Sequence, residues 1–180
     1  DLAGKLIEDI QAQRDLANAE NRDLAVHPAA VKSGELVRGV VDMFQSIALS
    51  HRVELAAREV AEVTFTSDPV LLRRVLGNLA KNALEASRPG DAVRVSCREE
   101  DDGVAFEVRN PAVMPQEIQS QLFQRSFSTK GAGRGLGTYS IKLFTETYLN
   151  GKVSFTSEEG EGTVFRVWYP RVLTLPAGKA

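Results

Sequence analysis

Between Ser128 and Thr138 the chain reads Ser-Thr-Lys-Gly-Ala-Gly-Arg-Gly-Leu-Gly-Thr, so four of eleven residues are glycine and two are cationic. An apolar helical pattern follows: Leu136, Ile141, Leu143, Phe144 and Tyr148. Alternating glycines that open a helix expose backbone N–H groups, and the helix start carries partial positive charge. Both favour a bound anion, most often phosphate. Two common phosphate loops are excluded by spacing. Gly151-Lys152 is followed by Val153, and no glycine stands five residues before Gly151, so there is no Walker A loop. The glycines at 131, 133, 135 and 137 give G-x-G-x-G-x-G, not the G-x-G-x-x-G that follows a strand in dinucleotide folds. Taken alone, the stretch reads either as an anion loop or as a flexible connection.

The rest of the chain narrows the choice. At 180 residues it can bury a proper core. A formal net charge of −2 argues against a nucleic-acid or anionic-membrane surface. Cys97 is the lone cysteine, which rules out an internal disulfide and fits a reducing, cytoplasmic setting. It shares a strand face with Val93 and Val95, as a buried structural thiol does. No apolar run approaches the roughly 20 residues of a membrane span, so no direct membrane contact is expected of this stretch. The chain begins with Asp1 rather than Met, and is read as part of something longer whose other segments could include a membrane anchor.

Residues 1 to about 26 form a helical pattern with a thin apolar stripe (Leu2, Leu6, Ile7, Ile10, Ala17, Leu24), ended by Pro28. Such a helix needs a partner, as half of a helical hairpin, a dimer seam or both. His27 at the break reads as a connector. A second helix runs from Ser33 or Gly34 to about Leu49, with Ser33 as its N-cap and Leu36, Val37, Val40, Val41, Phe44 and Ile47 as its apolar face. Short strands are predicted at Val53–Leu55 and Val63–Phe65. Asp68-Pro69 opens a strong helix to about Ser87. Strands at Ala92–Arg98 and Val104–Val108 flank the hairpin signal Asp101-Asp102-Gly103. A short helix at 116–122, the glycine loop with its helix to about Leu149, and strands at Lys152–Thr156 and Thr163–Tyr169 complete the pattern. This order gives an α+β fold: a mixed sheet with helices packed on one face, preceded by a helical arm.

The helix after Asp68 holds a second constellation. Leu72, Val75, Leu76, Leu79 and Ala83 form its core face, and Asn78 and Asn82 stack one turn apart beside it. Asparagine is a poor mid-helix residue because its amide competes for backbone hydrogen bonds. The pair is either a solvated or hydrogen-bonded couple, or a source of neutral oxygen ligands for a hard cation such as Mg2+.

Asn78-Leu79-Ala80-Lys81-Asn82-Ala83 resembles the N-box of sensor histidine kinases of the GHKL ATPase superfamily. Leu122-Phe123 through Phe127-Ser128-Thr129-Lys130 resembles the F-box, Gly133-Arg134-Gly135-Leu136-Gly137-Thr138 the G2 box, and Gly162-Thr163-Val164-Phe165 the closing strand. The four motifs stand in order across about residues 34–170, and the stretch 1–26 is similar to the second helix of the family's dimerisation hairpin. The resemblance implies a Bergerat-type α/β sandwich holding ATP under a lid. The implied division is a partial dimerisation helix at 1–28, an ATP-binding domain at 29–170 and a flexible tail at 171–180. It also implies Asn82 as principal Mg2+ ligand, and Asn78 as second ligand or water-positioner. Lys130 and Arg134 would face the phosphates, with the backbone at Gly133, Gly135, Leu136 and Gly137 capping them and Thr138 beside them. Asn78, Lys130 and Arg134 are thus the expected catalytic set, and Thr163 is expected near the adenine. Phe123 and Phe127 are expected to pack the lid.

Two departures stand out. Where the family has the aspartate of its G1 box, which accepts a hydrogen bond from adenine, this chain has Asn110, followed by Pro111-Ala112-Val113-Met114-Pro115. A neutral amide binds more weakly there, and Val113 and Met114 are expected to hold the base by apolar contact. The phosphoacceptor histidine of the family lies ahead of this stretch, and neither His27 nor His51 has its context. The implied function is the catalytic region of a two-component sensor histidine kinase. It would phosphorylate an absent histidine for relay to a response regulator receiver domain, within a homodimer formed through the hairpin. A weak or non-hydrolysing nucleotide module that regulates a partner is the alternative. A serine kinase acting on an anti-sigma partner is a third, and the helical arm speaks against it.

Overall fold

The computed structural model describes Arg14, residues 16–124 and residues 136–174, with the side chain of Leu136 left aside. Two compact units divide the chain: residues 1–26 with 175–180, and His27–Thr174. In the first unit the helix ends at Glu20, earlier than Pro28 predicts. Arg22 takes a left-handed conformation (φ 61°), its N–H reaches Ala19 O at 3.1 Å, and the Asp23 N–H reaches Asn18 O at 2.8 Å. This is a Schellman cap, which satisfies two end carbonyls, with arginine where glycine usually stands.

The second unit opens with β1 (Ala29–Lys32), α1 (Ser33–His51), β2 (Glu54–Val60) and β3 (Thr64–Ser67). β1 pairs antiparallel with β3 in a two-stranded sheet that the sequence reading missed. Ser33 does not cap α1. It is fully buried, accepts from Val63 N at 2.9 Å and donates to Ala61 O at 2.5 Å, tying the helix start to the β2–β3 connection. α1 ends in a second Schellman cap, with Arg52 left-handed and N–H bonds from Arg52 to Leu49 O and from Val53 to Ala48 O. Its buried face is narrower than expected, with Leu36, Val37, Val40 and Ala48 inside and Ile47 exposed.

Next come α2 (Pro69–Ala86), β4 (Ala92–Glu100), β5 (Gly103–Asn110), the single turn α3 (Gln116–Gln119), α4 (Leu136–Lys142), a π-helical segment (Leu143–Tyr148), β6 (Lys152–Glu158) and β7 (Gly162–Pro170). Asp68 caps α2 as predicted. One carboxylate oxygen accepts from Val70 N and Leu71 N at 2.9 and 3.0 Å, and the other from His27 N at 2.8 Å, which pins the chain entering β1. The main sheet has the order β2-β4-β5-β7-β6, with β2 and β4 parallel and the other pairs antiparallel. This is the expected α/β sandwich, a mixed sheet with helices on one face. Val93, Val95, Cys97, Phe106, Val108, Phe165, Val167 and Tyr169 are buried on that face, and Leu72, Val75, Leu76 and Leu79 of α2 are buried with them. Cys97 donates weakly to Ala61 O at 3.4 Å, and burial pushes its thiol up from the ordinary range, as suits a structural group. On the other face, exposed Arg98 bridges Glu107 and Glu100, and Arg166 pairs with Glu100.

The last turns of the glycine-loop helix are wider than α. Leu149 N bonds Phe144 O and Gly151 N bonds Thr145 O, and the fully buried Thr145 hydroxyl lies 3.0 Å from the Tyr169 Oη. Burial holds the Tyr169 phenol well above its ordinary value. Tyr169→Phe leaves the Thr145 hydroxyl without a partner, and a denaturant melt is expected to show a loss of about 1–3 kcal/mol. Residues 171–174, predicted as tail, are docked: Arg171 N bonds Asp102 O, Leu173 N bonds Thr66 O, and Leu173 is buried. No described helix is long and apolar enough to cross a membrane.

Candidate functional site

Two groups of residues converge on the helix-covered face. The first is built on α2. Its apolar residues face the sheet, which leaves Asn78 and Asn82 half-buried along one edge. The start of α4 lies against that edge. Asn78 Nδ2 donates to Ser140 Oγ at 3.2 Å, and Ser140 Oγ donates to Gly137 O at 2.8 Å. A Cβ placed on Gly137 would stand 3.8 Å from Asn82 Oδ1 and 3.9 Å from Nδ2. The bare face of Gly137 therefore looks onto the Asn82 amide, across a space that a larger side chain would fill. Because Asn78 uses its nitrogen on Ser140, its carbonyl oxygen is the end left to meet a ligand. Thr138, in the first turn of α4, is half-buried. Among the described residues no three His, Cys, Asp or Glu side chains cluster as metal ligands. The oxygen donors here are neutral amides, a set that suits a hard cation sharing its shell with water and phosphate.

The second group lies where β5 and β6 end and β7 begins. Asn110 closes β5 and pairs with Thr163 of β7, which pairs with Ser157 of β6. All three fall on the helix-covered face by alternation with Phe106, Phe165 and Phe155. One run of hydrogen bonds holds the loop after β5 onto these strands. Met114 N donates to Ser157 Oγ at 2.8 Å, Ser157 and Thr163 hydroxyls meet at 2.7 Å, and Thr163 Oγ1 donates to Ala112 O at 2.7 Å. The direction is fixed by its ends: Ser157 donates to Thr163, whose own proton goes to Ala112. Gln119 Nε2 adds a bond to Met114 O at 2.8 Å. Asn110 is 3% exposed, and its Nδ2 is buried without any hydrogen-bond acceptor. Only Ser67 Oγ shares that condition among the described residues.

Gly162 makes this corner possible. Its φ is +78°, and an added Cβ would fall 2.3 Å from Asn110 O and 2.7 Å from Pro111 Cα. Phe123 packs on Phe155, which packs on Phe165, with ring centroids 5.9 and 5.7 Å apart, and Lys142 Nζ sits 5.6 Å from the Phe123 centroid. Phe123 thus anchors the near end of the glycine-loop segment to the sheet.

The family description "Histidine kinase-, DNA gyrase B-, and HSP90-like ATPase" matches residues 67–173, which include both groups. The chain belongs to this ATPase family. Sensor histidine kinase CusS of Escherichia coli (strain K12) is 33% identical over 171 residues, covering 90% of this chain and 33% of CusS. The chain thus spans about a third of the length of the CusS relatives it matches. Full-length ShkA in complex with AMPPNP superposes with a TM-score of 0.81 at 23% identity, over 96% of this chain and 37% of ShkA. ThkA in complex with the response regulator protein TrrA gives 0.72 at 18%, over 92% and 49%. These two likenesses establish the ATPase fold.

Of the expected site residues, Asn78, Asn82 and Gly137 stand together, and Asn110, Met114 and Thr163 stand together. Val113 is 44% exposed, turned toward solvent rather than into the loop's hydrogen-bonded corner. Lys130, Gly133, Arg134 and Gly135, along with Phe127, lie outside the described residues, and of Leu136 only the backbone is described. Ser140 and Ser157 went unread in the sequence. Ser140 stands three residues after Gly137, on the same helical face, and that spacing was the available signal.

Proposed function

We propose that this chain is the ATP-binding catalytic region of a two-component sensor histidine kinase. It phosphorylates a histidine on a separate helix, for relay to the receiver domain of a response regulator. The observation that carries the reading is the approach of Asn82 to the bare face of Gly137, with Asn78 tied to the same helix start through Ser140. Neutral oxygens and an unobstructed backbone meet there, as a cation-bound triphosphate requires.

In this reading Asn82 is the principal Mg2+ ligand, and Asn78 a second ligand or water-positioner. Mg2+, when bound, supplies charge neutralisation at the β- and γ-phosphates. Asn78 also fixes the first turn of α4, so its amide both orients the lid end and offers its oxygen to the site. Backbone from Gly133 to Gly137 with Thr138 would cap the phosphates, and Lys130 and Arg134 would offset their charge. At the other end Asn110, Thr163 and Met114 would face the adenine, with Val113 at the rim. The protein's part is positioning and electrostatic support rather than covalent chemistry. The identity to CusS supports a sensor kinase, and the ThkA–TrrA complex supports a receiver domain as partner. The helical arm supports a homodimer through a helical hairpin, and a cytoplasmic site of action goes with ATP as substrate.

Titration calorimetry of the chain with ATP is expected to show binding that tightens with Mg2+. Adding a separate helical hairpin that carries the phosphoacceptor histidine is expected to yield acid-labile phosphohistidine. Binding without transfer would favour the regulatory nucleotide module, and no binding would end the kinase reading.

A further inference from the structure

The orphaned amide of Asn110 bears on which bases the site admits. Asn110 is almost wholly buried, and its Nδ2 finds no acceptor among the described residues. The neighbouring groups are already committed. Thr163 donates to Ala112 O and accepts from Ser157, and Ser157 accepts from Met114 N. Backbone pairing with Thr163 and the close packing of Gly162 on Asn110 O fix the strand end, so the amide cannot leave. A buried donor left unmatched is costly, and a base seated beside Asn110 with an acceptor turned to this amide would remove that cost.

A carboxylate and an amide at this position read a purine differently. A carboxylate only accepts, so it matches the 6-amino group of adenine and repels a 6-oxo group. An amide has one acceptor and two donors. With its oxygen toward the 6-position it accepts from the amino group of adenine and donates to N1. Turned over, it donates to the 6-oxo oxygen of hypoxanthine or guanine and accepts from N1–H. The two ends are nearly the same size, so the turn meets no steric obstacle.

We propose that Asn110 opens the base end of this site to 6-oxopurine nucleotides, so that the protein uses them alongside ATP. The inference rests on the placement of the base beside Asn110 in the proposed function.

Calorimetry of the full chain with Mg-ATP and Mg-ITP tests it, since inosine differs from adenosine only at the 6-position and its coupled N1. The chain is expected to bind both with affinities within about tenfold. Asn110→Asp is expected to tighten ATP about fivefold through a charge-assisted bond, and to weaken ITP by tenfold to about a hundredfold. Should Asn110→Asp fail to fold in a thermal melt, the ratio for the unmodified chain still decides. Binding of ATP but not of ITP would overturn this inference alone, leaving the kinase reading intact. So would an Asn110→Asp variant that keeps the original ratio, as expected if an ordered water satisfies the amide. Binding of neither nucleotide would overturn both.

Discussion

Replacing Asn82 with alanine is expected to weaken Mg-ATP binding by about a hundredfold or more, without lowering the melting temperature. The size follows from the role. Groups that merely orient a metal ligand contribute ten- to a hundredfold in affinity, and a direct ligand contributes at least as much. The stability side follows from helix chemistry. Asn82 is half-buried in mid-helix on α2, and its side chain makes no hydrogen bond among the described residues. Alanine is the better helix former by up to about 0.7 kcal/mol, so the variant should melt at the same temperature or slightly higher. Binding measured with ATP alone should change far less than binding measured with Mg2+ present. A melting temperature that falls together with affinity would instead make Asn82 a structural residue, and the cation site would have to lie elsewhere.

Gly162→Ala is expected to produce the largest loss of stability among simple substitutions near the site. Two costs combine there. The backbone sits at φ +78°, where an L side chain is strained by about 1–3 kcal/mol. The new Cβ also meets backbone, Asn110 O at 2.3 Å and Pro111 Cα at 2.7 Å, which cannot swing aside as a flexible side chain can. A total of about 3–4 kcal/mol is reasonable for such a site, lowering the melting temperature by about 6–16 °C for a domain of this size. Gly160→Ala is the internal control. Its φ is +83°, but nothing lies within 4 Å of the added carbon, so it pays only the conformational cost. The difference between the two variants isolates the contact with Asn110, and nucleotide binding should fall only in Gly162→Ala. Equal losses would show that the corner relaxes freely and does not position the base end.

These expectations lean on features whose visibility in the sequence differed, for physical reasons. Asn78 and Asn82 were readable because one turn of helix sets their spacing, and a local period survives whatever the tertiary structure does. Asp68-Pro69 was readable for the same reason. The main sheet followed from alternation and one tight turn. What stayed hidden depends on partners far along the chain. Ser157 acquires its role from the register of β6 with β7 and of β7 with β5. The wide turn at Leu143–Tyr148 places Thr145 against Tyr169, 24 residues on, which no local pattern announces. Ala29–Lys32 carries no alternation and becomes a strand only because β3 stands beside it. Both early helix ends use arginine at a left-handed position where a reader looks for glycine, the strain being offset by paired backbone bonds at Arg22 and Arg52. Ser33 looked like a cap because hydroxyls favour helix starts, but burial against Val63 and Ala61 claimed it.

Paramagnetic broadening by Mn2+ addresses the convergence of α2 and the α4 start on one triphosphate most directly. With ATP bound, replacing Mg2+ by Mn2+ in the isotope-labelled chain should erase both the Asn82 side-chain amide signals and the Gly137 backbone amide signal. Signals from the far face of the sheet, such as Arg98, should persist. If ATP saturates the protein while either the Asn82 or the Gly137 signal survives, the two elements do not share the metal-bound phosphates, and the account is contradicted.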